Sequence, residues 1–128
     1  MVARGDLIGL VGPLGAGKTL LVQGLARGLG VAGPVTSPSY ALVARIDGGR
    51  CPLVHADLYR VAREAELAEL GLDDAIADGA VVVVEWIDRH PTALPADRLE
   101  LRLSHDGDGR LAEGFVSGPA GRALAALL

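Results

Sequence analysis

Residues 12 to 19, Gly12-Pro-Leu-Gly-Ala-Gly17-Lys18-Thr19, satisfy the pattern G-x-x-x-x-G-K-[ST] in full, and this spacing carries a definite chemistry. Glycines free the backbone to curl so that successive N–H groups converge on phosphate oxygens. A helix starting directly after the loop adds on the order of half a positive charge at the same spot. A Lys18 ammonium there would reach the β- and γ-phosphates of a nucleoside triphosphate, and a Thr19 hydroxyl would bind Mg²⁺. The expected phosphate-binding set is Gly12, Gly15, Ala16, Gly17, Lys18, Thr19 and Leu20, with Lys18 also the catalytic cation. Of the twelve Lys and Arg residues, Lys18 is the only lysine. A compact multi-donor ammonium does a job in such a loop that a planar guanidinium does less well. The competing account is a glycine-rich turn with an incidental lysine. The complete motif, its place between a strand and a helix, and the lysine's isolation argue against it.

A magnesium ion at such a loop needs carboxylates, normally from the end of a buried strand. Two apolar runs end in one: "AVVVVE" in Glu85 and "LVHAD" in Asp57. Both are candidate ligands of the metal or of the attacking water, the plainer alternative being a solvated strand end. Thr19, Glu85 and Asp57 are thus the candidate metal set, and Lys18, Asp57 and Glu85 the candidate catalytic set.

A phosphate loop does not by itself choose among nucleotide enzymes. The N-K-x-D loop that reads guanine in Ras-type GTPases needs a second lysine, which the chain lacks. The arginines are scattered rather than gathered in a lid of the kind small-molecule kinases close over an acceptor. Motor ATPases need more than 128 residues.

These residues need elements to hold them. Leu7 to Val11 reads as a short buried strand ending in glycine. From about Lys18 to Leu29 the spacing is helical, with Leu21, Val22, Leu25 and Leu29 on one face and Gly30 as the stop. Gly24 and Gly28 each weaken that helix by up to ~1 kcal/mol, and close helix–sheet packing is the expected reason. "GPVTSPSY" is loop. Asp47-Gly48-Gly49-Arg50 joins two strand-like runs as a β-hairpin. "REAELAELG" predicts a helix stopped by Gly71, "LDDAIAD" a shorter one, and "AVVVVEW" a strand covered on both faces. "DRLELRLSHD" alternates as a half-buried strand, "DGDG" turns the chain, "RLAEGFVSG" returns, and a helix starts near Pro119. The order predicts an α/β fold: a three-layer, P-loop NTPase-like single domain over 1–128, with a mixed parallel and antiparallel sheet flanked by helices.

Half the residues are apolar, 22% are charged, and the net charge is −4. A folded core follows, and a basic face for gripping nucleic acid does not. No apolar run approaches the ~18 residues of a membrane helix. The single cysteine, Cys51, admits no internal disulfide and points to a reducing, cytoplasmic setting. His55, His90 and His105 lack metal-ligand spacing. The acidic stretch Glu64 to Glu69 reads as a solvated helix surface, with a docking face as the alternative.

Four blocks in series resemble one family, the bacterial ATPase of tRNA threonylcarbamoyladenosine biosynthesis (TsaE type). They are "GPLGAGKT"; "TSPSY", similar to that family's S-P-T-[FY]; "HADLYR" followed by "ELAELGLDD", similar to its H-x-D-x-Y-R and E-L-G-L region; and "VVVVEW", similar to its E-W segment. The resemblance runs from about Asp6 to Arg110. It implies a slow, partner-dependent, Mg-dependent ATP hydrolase with ATP and Mg²⁺ as cofactors. Its partners would be threonylcarbamoyltransferase proteins of the TsaB and TsaD type, which modify adenosine 37 of tRNA, with tRNA itself met only indirectly. It further implies that Ser37 and Ser39 sense the nucleotide, with Tyr40 behind them, and that Arg110 lies near the base. Tyr59 and Arg60 are weaker candidates, set against packing and a surface ion pair respectively, and Trp86 either edges the site or fills core. "EWID" replaces the family's usual E-W-P-E, keeping a second acid at Asp88 on a different turn. The segment before Gly12 is short for the family, whose members usually carry a further helix and strand there. Two other functions stay open: a small-molecule kinase with "HADLYR" at its acceptor site, and a nucleotide-dependent binding subunit whose hydrolysis is incidental.

Overall fold

A computed structural model describes residues 5–13, 18–31 and 43–118, the side chains of Thr19, Val116 and Ser117 excepted. The expectations for Gly15, Ala16, Gly17, Ser37, Ser39 and Tyr40, and for a helix near Pro119, fall outside these residues. The chain runs β1 (Leu7–Val11), α1 (Lys18–Gly28), β2 (Val43–Ile46), β3 (Leu53–Asp57), α2 (Glu64–Ala68), α3 (Leu72–Ala77), β4 (Val81–Glu85), a 3₁₀ turn (Ile87–Arg89), β5 (Arg98–Asp106) and β6 (Gly109–Ser117).

One six-stranded sheet has the order β2-β3-β4-β1-β5-β6. β3, β4, β1 and β5 are parallel, and β2 and β6 pair antiparallel at the two edges. The sheet is therefore mixed, as the sequence predicts. The valine run of β4 is buried along its whole length. Val81 and Val83 pack on the α1 side, Val82 and Val84 on the side of α2 and α3. A central strand with two apolar faces has no position for alternating polar residues, which is why the run is continuous. Helix, sheet and helix pair form the three layers.

Helix α1 buries Val22 and Ala26 against the sheet, as does Leu29 directly after its last residue, flanked by Leu21 and Leu25, so the buried stripe follows i, i+4, i+7. It ends as a Schellman motif. Gly30 has φ 90°, its N–H donates to the Arg27 carbonyl at 2.9 Å, and the Val31 N–H donates to the Ala26 carbonyl at 2.9 Å, satisfying the last carbonyls of the helix. The β2–β3 turn seats on this end: the Arg50 N–H donates to the Leu29 carbonyl at 2.8 Å. A Cβ on Gly49 would come within 2.5 Å of that oxygen, so the close approach requires glycine.

Two sequence expectations change. Gly24 and Gly28 do not mediate helix–sheet packing: a Cβ added at either would meet nothing within 4 Å. They lie on the outer side of α1, beside the largely exposed Leu20. The helix expected through to Gly71 is shorter, because α2 ends at Ala68 and Gly71, at φ 72°, turns the chain into α3. Leu67 and Leu72, one on each short helix, are both buried, so covering the sheet decides this break rather than helix propensity.

β1 leads into α1 on one face and β3 into α2 on the other, with β4 between them. Their carboxyl ends therefore open side by side into a crevice, where open α/β sheets bind ligands. Among the described residues no helix is long and apolar enough to cross a membrane.

Candidate functional site

The crevice is assembled by register. Leu10 of β1 is the partner of Glu85 on β4, and Glu85 is the partner of Asp57 on β3. Neighbouring strands lie about 4.8 Å apart, so the two carboxylates named from sequence stand side by side. Alternation along β3 and β4 puts His55, Asp57 and Glu85 on the same face as Leu53, Val81 and Val83, which is the face that α1 covers. Backbone bonds tie the strand ends together beyond the ladder: Trp86 N–H donates to the Leu10 carbonyl at 2.9 Å and Leu58 N–H to the Glu85 carbonyl at 3.0 Å.

β1 hands over to the loop at Gly12, whose φ is 153°. A Cβ there would overlap the Leu103 carbonyl oxygen of β5. The motif's first glycine is thus required by its contact with the neighbouring strand, quite apart from any phosphate. On the far side of the loop Lys18 opens α1 and is only 4% exposed. Its Nζ donates to the Gly12 carbonyl oxygen at 2.7 Å and lies 3.8 Å from the centroid of the Trp86 ring, a cation–π distance. Burial pulls the Lys18 pKa below its ordinary value, against the opposing pull of Glu85, Asp57 and Asp88. Three acids thus address the one lysine.

Trp86 is held in an unusual backbone state. With φ 60° and ψ 36° it is left-handed, and it is the only non-glycine residue with positive φ among the described residues. The turn lets the ring fold back over Lys18 while the 3₁₀ turn carries Asp88 past the end of β4. Tyr59 stacks on Trp86 with centroids 5.0 Å apart and planes tilted by 53°, so both rings line the edge of the site. Half of Tyr59 remains exposed.

Among the described residues the carboxylates are engaged through one oxygen each. Asp57 Oδ1 accepts the Tyr59 N–H at 2.9 Å, an Asx-type turn that fixes its rotamer. Glu85 is only 5% exposed, and its Oε2 lies 2.6 Å from His55 Nε2. Among the described residues no group of three or more His, Cys, Asp and Glu side chains gathers as a cage for a metal. Two carboxylates beside a helix start instead suit an ion that takes few protein oxygens and shares its remaining ligands with phosphate and water, which is the habit of Mg²⁺. In that sense the donor set fits the expected metal.

The other sequence candidates are placed as follows. Thr19 is the second residue of α1, and Leu20 the third, 72% exposed. Arg110 lies in β6 opposite His105, exposed, with Nη1 donating to the Gly109 carbonyl at 2.9 Å. Arg60 is exposed. The sequence reading missed His55. The period-two pattern of "LVHAD" was the available signal, since it puts residue 55 on the face of residue 57.

The family model described as threonylcarbamoyl adenosine biosynthesis protein TsaE matches residues 1–112. The chain is 46% identical over 107 residues to the tRNA threonylcarbamoyladenosine biosynthesis protein TsaE of Streptomyces coelicolor, covering 80% of this chain and 71% of that one. It is 39% identical over 104 residues to the protein of that name from Bacillus subtilis, covering 81% of this chain and 65% of the relative. With the Treponema pallidum protein of the same name it shares 36% identity over 109 residues, 85% of this chain and 80% of the other. The crystal structure of Bacillus subtilis YdiB superposes with a TM-score of 0.81 at 31% identity, over 99% of this chain and 78% of that chain. The fold is the P-loop NTPase-like one predicted above.

Proposed function

The chain belongs to the TsaE family of threonylcarbamoyl adenosine biosynthesis proteins, and we propose that within tRNA threonylcarbamoyladenosine biosynthesis it acts as a Mg-dependent ATPase. It binds ATP, hydrolyses it slowly, and so supports the partner proteins that transfer the threonylcarbamoyl group to tRNA. One observation carries this reading: the buried Lys18 ammonium sits where β1 gives way to α1, in a crevice shared with the paired carboxylates Asp57 and Glu85.

The division of labour follows from chemistry. Main-chain N–H groups of the loop and the Lys18 ammonium hold the triphosphate tail. Thr19 and Glu85 hold Mg²⁺, which when bound neutralises charge on the phosphate oxygens. Asp57 orients the attacking water or the metal. Phosphoryl transfer needs little more than positioning and charge neutralisation, and such a site supplies both.

Two measurements test the proposal. Titration of Mg·ATP into the full chain gives a saturable heat, and free phosphate appears without an added acceptor, faster with the partner proteins. Mass spectrometry of tRNA nucleosides after depletion of the protein shows a loss of threonylcarbamoyladenosine. No heat refutes nucleotide binding, phosphate on an acceptor molecule favours a kinase, and unchanged threonylcarbamoyladenosine overturns the role in tRNA modification.

A further inference from the structure

The His55 imidazole has no role in the mechanism above, yet its contact with Glu85 is buried on both sides. His55 Nε2 and Glu85 Oε2 are 2.6 Å apart, with side chains 1% and 6% exposed. We propose that His55 is a positioning residue: its imidazole donates from Nε2 to Oε2 and thereby turns Oε1 of Glu85 toward the magnesium ion. The inference rests on the reading of Glu85 as a magnesium ligand.

Three observations support it. First, the ring's other nitrogen, Nδ1, is buried with no hydrogen-bond partner among the described residues. A buried orphan N–H is rarer in folded proteins than an under-used acceptor. The proton therefore belongs on Nε2, where Glu85 receives it, and Nδ1 is a bare lone pair. Second, the terminal torsion of a glutamate is broad and nearly two-fold, so nothing in the side chain itself decides which way its oxygens face. A single short bond to one oxygen removes that freedom. Third, the placement is built into the sheet. Asp57, two residues beyond His55 on the same face of β3, is the register partner of Glu85. The imidazole thus supports Glu85 from deeper along the strand, while Asp57 shares the open end of the crevice with it. A buried carboxylate needs such a partner, and groups that hold a metal ligand by its second atom typically change metal affinity by ~10–100-fold when removed.

The test is Mn²⁺ affinity, read by electron paramagnetic resonance on the full chain carrying a non-hydrolysable ATP analogue. The variants are His55→Leu, His55→Gln and Glu85→Gln. His55→Leu is expected to weaken Mn²⁺ by ~10–100-fold while analogue affinity without metal stays unchanged. His55→Gln, whose amide N–H can reach the same oxygen, restores most of the loss. If Glu85→Gln weakens Mn²⁺ and folded His55→Leu does not, this inference fails and the reading of Glu85 stands. If Glu85→Gln also binds Mn²⁺ as the parent does, the reading of Glu85 fails and takes the inference with it. Should His55→Leu not fold, ¹⁵N spectra of the parent protein's imidazoles decide. A His55 proton on Nε2 supports the proposal, and an Nε2 without a proton overturns it.

Discussion

The Lys18 ammonium rests on the face of Trp86, 3.8 Å from the ring centroid. Its one hydrogen bond among the described residues runs to the Gly12 carbonyl. A buried cation satisfied by a ring face and a single carbonyl is a poor bargain for the fold and a good one for a phosphate, which would supply the missing anionic oxygens.

Lys18→Met should therefore separate function from stability. Burial lowers the Lys18 pKa from its ordinary 10.5. The unfolded chain then holds the proton more tightly than the folded one, so folding gains as pH rises through the folded-state pKa toward 10.5 and loses that gain as pH falls. At pH 7 the methionine variant should melt at or above the parent temperature, with the difference narrowing as pH approaches 10. Calorimetry should show ATP binding abolished. A variant that melts well below the parent at pH 7 would contradict the burial argument.

Trp86 offers a test of backbone strain. A left-handed residue with a Cβ carries about 1–2 kcal/mol, and φ 60° at Trp86 is such a case. Trp86→Ala removes the ring and keeps the strain, whereas Trp86→Gly removes both. The glycine variant should be the more stable of the two by about 1 kcal/mol in urea denaturation, against the usual ranking of Ala over Gly.

The glycines were only partly legible in the sequence, and the reason is physical. Gly12 declares itself through the motif, yet the clash that a Cβ there would make with Leu103 depends on β5 lying beside β1, a pairing between segments far apart in the chain. Gly24 and Gly28 look like packing glycines because they interrupt an apolar helix, but their spacing fixes only the face, and the structure turns that face outward. The strands were easier. The valine run of β4 and the Asp47–Arg50 hairpin follow from local composition. His55 is the reverse case: its partner Glu85 is 30 residues away, and only the parallel pairing of β3 with β4 brings them together. The motif singles out Lys18 as a residue, whereas its seat on Trp86 was not legible, since nothing in "VVVVEW" announces a left-handed turn.

Opposite signs are therefore expected for two Gly→Ala changes. Gly12→Ala places a Cβ against the Leu103 carbonyl at a φ that L-residues avoid, and should destabilise by about 1–3 kcal/mol. Gly24→Ala fills open space on an exposed helix face, and should stabilise by up to ~1 kcal/mol. Urea midpoints at constant m decide both. A destabilising Gly24→Ala would mean that this face is already occupied.

In the proposed mechanism Glu85 is the residue on which the chemistry turns, and the choice of substitution matters. If Lys18 and the loop amides hold the phosphates as proposed, Glu85→Ala should leave ATP binding in place while hydrolysis falls by ~10²-fold or more. It also strands the His55 Nε2 donor in a buried site, at a further ~1–3 kcal/mol of stability. Glu85→Gln can keep an acceptor oxygen toward His55 where Glu85 Oε2 stands, while it removes the charge and turns the other oxygen into an NH₂ group. Gln should therefore match Ala in lost turnover and exceed it in melting temperature. Single-turnover phosphate release, measured below the melting point of the weaker variant, separates the two effects. Parent-like turnover in the glutamine variant would remove the Glu85 charge from the mechanism and leave Asp57 as the acid to test next.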